Sequence, residues 1–136
     1  MNESHILEAI AVLQALGFPR KYQNARAGLA LLAVVQLTPT RQWEAIEMPR
    51  VSARNVAAFP TAYDIQPRPD AELFLTRDIL PAFRAAGLLV INPDAPSRPS
   101  RSPHTVYQVP YPARELLRAF GSQKWKAALA AFHHRA

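Results

Sequence analysis

The sequence predicts a mainly α-helical domain that carries one small antiparallel β-hairpin. Hydrophobic residues make up 49% of the 136 residues and only 4 are Gly, a composition typical of folded, helix-rich chains. Apolar residues recur at helical spacing near 6–16 and 29–35. Two later stretches, "LLVIN" and "TVYQV", have the composition of short strands. The length predicts one domain, covering residues 1–136.

The first half of the chain is predicted to form two long helices and two short ones. Ser4 is expected to cap the first helix and Gly17 to end it. The second helix is expected from about Tyr22 to Leu37. Prolines then allow only short helices, near Trp43–Glu47 and Ser52–Phe59.

Proline also interrupts the next predicted helix, "DAELFLTRDILPAFRAAG". Asp70 is expected to cap its start and Gly87 to end it. Because Pro81 does not fit inside an unbroken helix, we expect a kink or break near Thr76–Asp78. Asp78 would then cap a second segment that holds Pro81 in its first turn.

The rest of the chain is predicted to form the hairpin, over about 88–109, and two helices, over about 112–133. Gly121 separates these helices and Ser122 caps the second. The side chains expected to face the core from that last helix are Trp125, Leu129 and Phe132. Helices followed by a helix, strand, loop and strand are typical of a winged helix-turn-helix domain. In such a domain one helix enters the DNA major groove and the hairpin loop, the wing, lies along the backbone.

Charge is distributed unevenly along the chain, whose formal net charge is +6. Residues 1–95 hold nine Lys and Arg against nine Asp and Glu, whereas residues 96–136 hold seven against one. A basic surface in the last third would suit a polyphosphate partner, because Lys and Arg displace condensed counterions. Charge that keeps solvated helices soluble is the other interpretation.

The predicted wing, "NPDAPSRPSRSPH", combines four prolines with Arg98 and Arg101. Prolines restrict the unbound loop, so less entropy is lost on binding, and arginines donate hydrogen bonds to phosphate. The pattern predicts a stiff loop that contacts the DNA backbone. A rigid structural loop with solvated arginines fits it equally.

The sequence lacks the residues that several kinds of functional site require. The chain has no cysteine, which excludes disulfides and thiolate sites and is typical of a cytoplasmic protein. No apolar run reaches membrane length and the N-terminus has no secretory pattern, so we expect no membrane association. His133 and His134 point to different helix faces and no phosphate-binding loop is present, so we expect neither a metal nor a cofactor.

Two long stretches resemble one protein family. "FRAAGLLVINPDAPSRPSRSPHTVYQV" with "LLRAFGSQKWKAALAAF", and "RKYQNARAGLALLAVVQLTPTRQWEAIEMP", resemble the N-terminal helix-turn-helix domain of the BsuBI/PstI restriction endonucleases. The resemblance covers about residues 17–132, with a poor match over 50–78, and "NPDxPxRPxxSPxxVYQ" is its most specific part. It implies double-stranded DNA as the partner. It also implies that a magnesium-dependent nuclease domain, which cuts short palindromic sites, follows this domain in the full enzymes.

The chain itself lacks the motif that such a nuclease needs. That motif is PD followed by (D/E)xK, whose carboxylates hold the metal. Pro93-Asp94 is followed by Glu115 and Pro69-Asp70 by Glu72, and neither Glu has a Lys two residues later. We therefore expect no catalytic residues and no enzymatic activity. A nuclease domain or partner chain is an expected partner, and palindromic sites are compatible with a homodimer.

The predicted recognition helix departs from the "NTRETxRRQT" pattern of the family. Over residues 70–79 it reads "DAELFLTRDI", where Arg77 matches the second of the paired arginines. Asp70, Glu72 and Asp78 add negative charge where DNA would be met. Either the helix reads a different sequence, since a Glu can accept from cytosine N4, or it no longer reads DNA.

The candidate DNA-binding residues come from three regions. They are Lys21, Asn24 and Arg26 in "KYQNAR", then Arg68 and Arg77 before and within the recognition helix, and Arg98, Arg101, Ser102 and His104 in the wing. The "KYQNAR" residues either clamp a phosphate at a helix start or cap that helix. Phe74 and Leu75 are expected in the core, and if exposed they would indicate a protein interface.

Two functions are favoured by the sequence alone, ahead of a third, an enzyme without a recognisable motif. The first is a DNA-binding winged helix-turn-helix module related to the N-terminal domain of type II restriction endonucleases. The second is a protein-interaction or dimerisation module on the same fold that has lost specific DNA reading.

Overall fold

Two helices packed against each other form the base of the core. In the computed structural model, which describes residues 3–135, α1 spans Glu3–Ala15 and α2 spans Ala25–Val34. Gly28 allows their close approach, because a Cβ there would lie 3.2 Å from Cγ1 of Ile10 and 3.3 Å from the carbonyl oxygen of Ile6. Almost all of α2 is buried, as expected of a helix enclosed by the rest of the fold.

Both helices differ from the prediction at their ends. α1 already includes Glu3, so Ser4 lies within its first turn and does not cap it. Residues Arg20–Tyr22 form a separate 3₁₀ turn, and α2 starts after Asn24. The Asn24 Oδ1 caps α2 by accepting a hydrogen bond of 3.0 Å from the backbone three residues later. α2 ends before Leu37 because the chain turns sharply there.

Short elements connect α2 to the next long helix. They are a 3₁₀ turn at Trp43–Ala45, strand β1 at Arg50–Val51, helix α3 at Ala53–Ala58 and a 3₁₀ turn at Phe59–Tyr63. Ser52 starts α3 with a capping box, in which its Oγ accepts from the backbone of Asn55 at 3.1 Å. The two short helices agree with the prediction. Strand β1 was not predicted.

The helix before the hairpin is continuous but irregular. α4 (Ala71–Phe74) runs into a π turn (Leu75–Ile79) and then into α5 (Leu80–Ala85); together they are called the 71–85 helix. The predicted irregularity near Thr76–Asp78 is confirmed as this π turn, but the predicted recapping by Asp78 is wrong, because α5 starts without a side-chain cap. The wider hydrogen bonding of a π turn lets the chain pass Pro81, which occupies the first turn of α5. Asp70 precedes α4 without a side-chain capping bond, so its predicted cap is also wrong.

The hairpin is part of a three-stranded antiparallel sheet. β2 (Val90–Ile91) and β3 (Tyr107–Gln108) pair as predicted, and β1 pairs with the other edge of β3. Each strand has two residues, fewer than predicted, because the wing leaves the ladder early. Gly87, with φ of 82°, makes the turn between the 71–85 helix and β2.

Two helices close the fold, α6 (Tyr111–Arg118) and α7 (Trp125–Arg135). Phe132 is buried, and Trp125 and Leu129 pack against the core, as predicted. One connected hydrophobic cluster joins α1, α2, the 71–85 helix, the sheet and α6. No helix within the described range 3–135 is long and apolar enough to cross a membrane.

Candidate nucleic-acid interface

A groove of about 970 Å³ opens between the 71–85 helix, the start of α3 and the wing. One wall is a face of the 71–85 helix, which presents Thr76 and Pro81. The other wall is the wing tip, residues 100–103. Ile91 and Tyr107 of the hairpin form part of the lining between them. The groove therefore lies where a winged helix-turn-helix domain meets DNA.

Four arginines line this groove. Arg54 comes from α3, Arg77 and Arg84 come from the 71–85 helix, and Arg101 comes from the wing. All four side chains are exposed, and within residues 3–135 none of them forms an ion pair. Glu72 is the one acid among the described lining residues. Four positive charges and one negative charge leave a net charge of +3 in what we call the arginine groove.

Sequence reasoning missed Arg54 and Arg84. Both lie within residues 1–95, where positive and negative charges balance, so no local excess points to them. The spacing of Arg77 and Arg84, seven residues apart on one predicted helix, was the available signal, because such residues share a face. Arg54 reaches the groove only through the packing of α3 beside that helix.

Part of the basic surplus of the last third is neutralised by acids. Arg114 and Arg118 both pair with Glu47, at 3.3 and 3.2 Å, and both also approach Glu115. These acids neutralise them, one from outside the last third. The side chain of Arg135 lies outside the described residues. Three of the four groove arginines instead come from residues 1–95, so most of the positive charge of this groove lies outside the basic last third.

Arg98 holds the wing together from inside. Its guanidinium pairs with both carboxylate oxygens of Asp94, at 3.2 and 2.9 Å. It also donates to Asn92 Oδ1 at 3.0 Å and to the carbonyl of His104 at 2.9 Å. These bonds lower the pKa of Asp94, mainly through the hydrogen bond from Arg98. Because the guanidinium is engaged within the loop, the geometry does not support the predicted phosphate contact by Arg98.

Asn92 completes this internal framework. Its side chain is buried and its backbone is left-handed, with φ of 50°, a conformation that Asn tolerates. Its Oδ1 accepts from the backbone of Val106 at 3.0 Å, across the base of the wing. Thr105, also buried, donates to the carbonyl of Ser100 at 3.1 Å. The prolines therefore act together with a set of side-chain bonds that fixes the loop.

The remaining wing candidates are placed differently from one another. Arg101 and Ser102 lie on the side of the tip that lines the arginine groove. The Oγ of Ser102 accepts from the backbone of His104 at 3.1 Å. His104 is exposed and is not among the groove residues. In the part of the chain that the structure describes, no group of three or more His, Asp and Glu side chains is arranged to hold a metal ion.

The "KYQNAR" residues contact the 71–85 helix. Lys21 Nζ lies 3.4 Å from Asp78 Oδ1, and the Tyr22 hydroxyl donates to the same carboxylate. The hydrogen bond from Tyr22 is the main cause that lowers the pKa of Asp78, and Lys21 contributes. Asn24 caps α2, as the second interpretation of this segment had it. The segment therefore positions the 71–85 helix.

Arg26 acts on the first turn of the same helix. Its Nη2 lies 3.2 Å from Asp70 Oδ1, and its guanidinium stacks 3.7 Å over the ring of Phe74. Arg68, which is exposed, lies 3.9 Å from the same Asp70 oxygen. Three predicted phosphate ligands, Lys21, Arg26 and Arg68, are thus paired with acids that flank or belong to this helix.

These pairings reduce the negative charge that the predicted recognition helix presents to the groove. Asp70 and Asp78 do not line the arginine groove, and both have cationic partners. The expectation that three acids would face DNA is therefore wrong for two of them, and only Glu72 brings negative charge to the groove. Leu75 is buried and Phe74 packs against the core, so neither indicates a protein interface.

The fold and this groove define a winged helix-turn-helix domain. The family model for the BsuBI/PstI restriction endonuclease HTH domain matches residues 3–136, and the chain belongs to this family. It is 32% identical over 130 residues to the type II restriction enzyme BsuBI of Bacillus subtilis, covering 95% of this chain and 41% of that enzyme. It superposes on the structure of the SdaI restriction endonuclease with a TM-score of 0.88 and 26% identity, covering 96% of this chain and 41% of that one. The chain thus spans about two fifths of the length of both relatives, and the predicted resemblance is confirmed.

Proposed function

We propose that this chain is a duplex DNA-binding module whose arginine groove receives the sugar-phosphate backbone. One observation carries the proposal: four exposed arginines from three separate segments line a single groove without an internal ion pair. An unpaired guanidinium has donors free for phosphate oxygens, and such bonds are the strong, charge-assisted kind. That both relatives are named restriction enzymes supports DNA as the ligand.

The groove suggests a role for each arginine. Arg101 contacts a phosphate from the wing tip, and Arg54 and Arg84 contact phosphates along the groove. Arg77, near the middle of the 71–85 helix, is placed to reach a base edge or a phosphate. Ser102 and His104 add polar contacts beside the tip. Arg98 contributes by holding the wing in shape.

The proposal includes binding without cleavage by this chain. The PD-(D/E)xK motif expected of a magnesium nuclease is absent from the sequence. Asp94, which would start its best match, is bonded to Arg98 within the wing. The carboxylate that would start the other match, Asp70, is paired with Arg26.

Titration of a fluorescently labelled random duplex at two salt concentrations tests the proposal. The wild-type chain is expected to bind at low salt and to lose affinity steeply as salt rises, because phosphate contacts release counterions. Replacing the four groove arginines with Ala should abolish binding. Arg41→Ala is the matched control, since Arg41 is exposed and does not line the groove. Absent or salt-insensitive binding by the wild type would refute the proposal and favour a protein-interaction module.

A further inference from the structure

We infer that Glu72 is a specificity residue that selects cytosine at one position of the bound duplex. This inference rests on the proposed function and deepens it. Glu72 lines the arginine groove and is exposed. Across the described residues it forms neither an ion pair nor a side-chain hydrogen bond, although four arginines share the groove with it.

The other two acids near this helix, unlike Glu72, have bonding partners. Asp70 is bonded to Arg26, and Asp78 is bonded to Tyr22 and Lys21. Of the three acids near this helix, the two that do not line the groove are thus paired, and within the described residues the one that lines it is not. Stabilisation of the helix dipole does not by itself require Glu72 in the groove, because Asp70 already supplies an acid at the start of the helix.

A free carboxylate in this groove is unfavourable toward the backbone of DNA. Phosphate oxygens only accept hydrogen bonds and carry negative charge, so they repel Glu72. In the major groove, only cytosine N4 and adenine N6 offer donors. Adenine places its N7 acceptor beside that donor, whereas guanine and thymine present acceptors at the corresponding positions. Cytosine is therefore the base edge that a carboxylate accepts from with least repulsion.

The position of Glu72 along the helix agrees with this role. It lies in the first turn of the 71–85 helix, and base contacts in helix-turn-helix domains come from the early residues of the recognition helix. Thr76, one turn later, lines the same groove, which places Glu72 on the face that the helix presents to a ligand. Arg84, near the other end of the same helix, also lines the groove, and a phosphate contact is proposed there.

Selection from a randomised duplex pool, followed by sequencing, tests the inference. The wild-type chain is expected to select a motif with cytosine at one position. Glu72→Ala should lose about fivefold or more of the preference for cytosine there, the low end of what one side-chain–base pair supplies. Glu72→Gln should admit adenine at that position, because a Gln amide matches adenine N6 and N7. Both variants should bind random duplex at least as tightly as the wild type, since a repulsive charge is gone.

The comparison with Arg84→Ala separates this inference from the proposed function. Arg84→Ala should weaken binding to every duplex and leave the selected motif unchanged. If the Glu72 variants select the same motif as the wild type, the inference is wrong and the proposed function stands. The same holds if the wild-type chain binds in a salt-dependent way but selects no motif. If the wild type binds no duplex at all, both fail.

Discussion

Replacing Arg84 with Ala gives the most quantitative test of the arginine groove. Arg84 is exposed and lines the groove beside Ile91 and Tyr107 of the hairpin. Its charge also acts on Tyr107, where it opposes the rise in pKa that burial causes. The substitution removes one positive charge of the four in the groove and leaves the core untouched.

The expected effect follows from counterion release. Each phosphate contact contributes about 0.9 to the slope of log affinity against log salt, so four contacts predict a slope of about −3.6 and three predict about −2.7. Between about 50 mM and about 200 mM salt, the wild type should then lose about 150-fold in affinity and the variant only about 40-fold. The two lines are taken to meet at about 1 M salt, where screening removes the electrostatic contribution. Arg84→Ala should then weaken binding by about 15-fold at about 50 mM salt and only about fourfold at about 200 mM.

Fluorescence anisotropy with a labelled random duplex measures this dependence directly. Arg41→Ala carries the same charge change on a part of the surface that does not line the groove, and its slope should equal that of the wild type. A thermal melt checks that the Arg84 variant is folded. A slope for Arg84→Ala that equals the wild-type slope would show that Arg84 touches no phosphate, and the proposed course of the backbone through the groove would be wrong.

Three further predictions concern the framework of the fold. Arg98→Ala should speed amide hydrogen exchange across the wing, 93–106, because it removes the bonds that join the two sides of the loop; unchanged exchange would contradict this role. Phe83→Ala should lower the free energy of unfolding by about 3–5 kcal/mol in urea titrations, since Phe83 is fully buried; a loss below about 1 kcal/mol would contradict the packing. Burial raises the pKa of Tyr63 to about 12, so the neutral hydroxyl stabilises the fold below its ordinary pKa of 10.0 and this stability is lost as pH rises through about 12. Tyr63→Phe should show a smaller loss over that range, and equal losses would refute the assignment.

The wing was predictable because its signals are local. Four prolines and two arginines lie within one short stretch, and the structure confirms a hairpin loop at that place. The sequence could not show that Arg98 and Arg101 are placed differently. Arg98 is bonded within the loop, whereas Arg101 lines the groove. Both are arginines in a proline-rich loop, and only the folded loop brings Asp94 and Asn92 onto one of them.

The charge of the surface was not predictable from the order of residues. Arg114 and Arg118 belong to a basic stretch, yet both pair with Glu47, which lies 67 residues before Arg114 in the sequence. In the same way Lys21 meets Asp78, and Arg26 meets Asp70, through packing of distant segments. Counting charges along the chain cannot detect such pairs.

The sequence predicted where the helix is irregular better than it predicted the type of irregularity. The presence of Pro81 correctly indicated an irregular helix, but a π turn and a recapped break produce the same sequence signal. Strand β1 has two residues, Arg50–Val51, too few for any alternating pattern to appear. It forms because β3 offers an unpaired edge, which is a property of the assembled sheet.

The side chains that hold the wing in shape lie mostly outside the tip that lines the groove. The shape of the wing depends on the side chains of Asn92, Asp94, Arg98 and Thr105, whereas the tip takes part mainly through backbone groups, such as the carbonyls of Pro99 and Ser100. Within the described residues the side chains of Ser100 and Arg101 form no bond of this framework, whereas Ser102 accepts a hydrogen bond from the backbone of His104. Exchange of Ser100 and Arg101 therefore alters what the tip presents while the loop keeps its course. Under the proposed function, new side chains at these two positions would change what the wing contacts without a redesign of the scaffold.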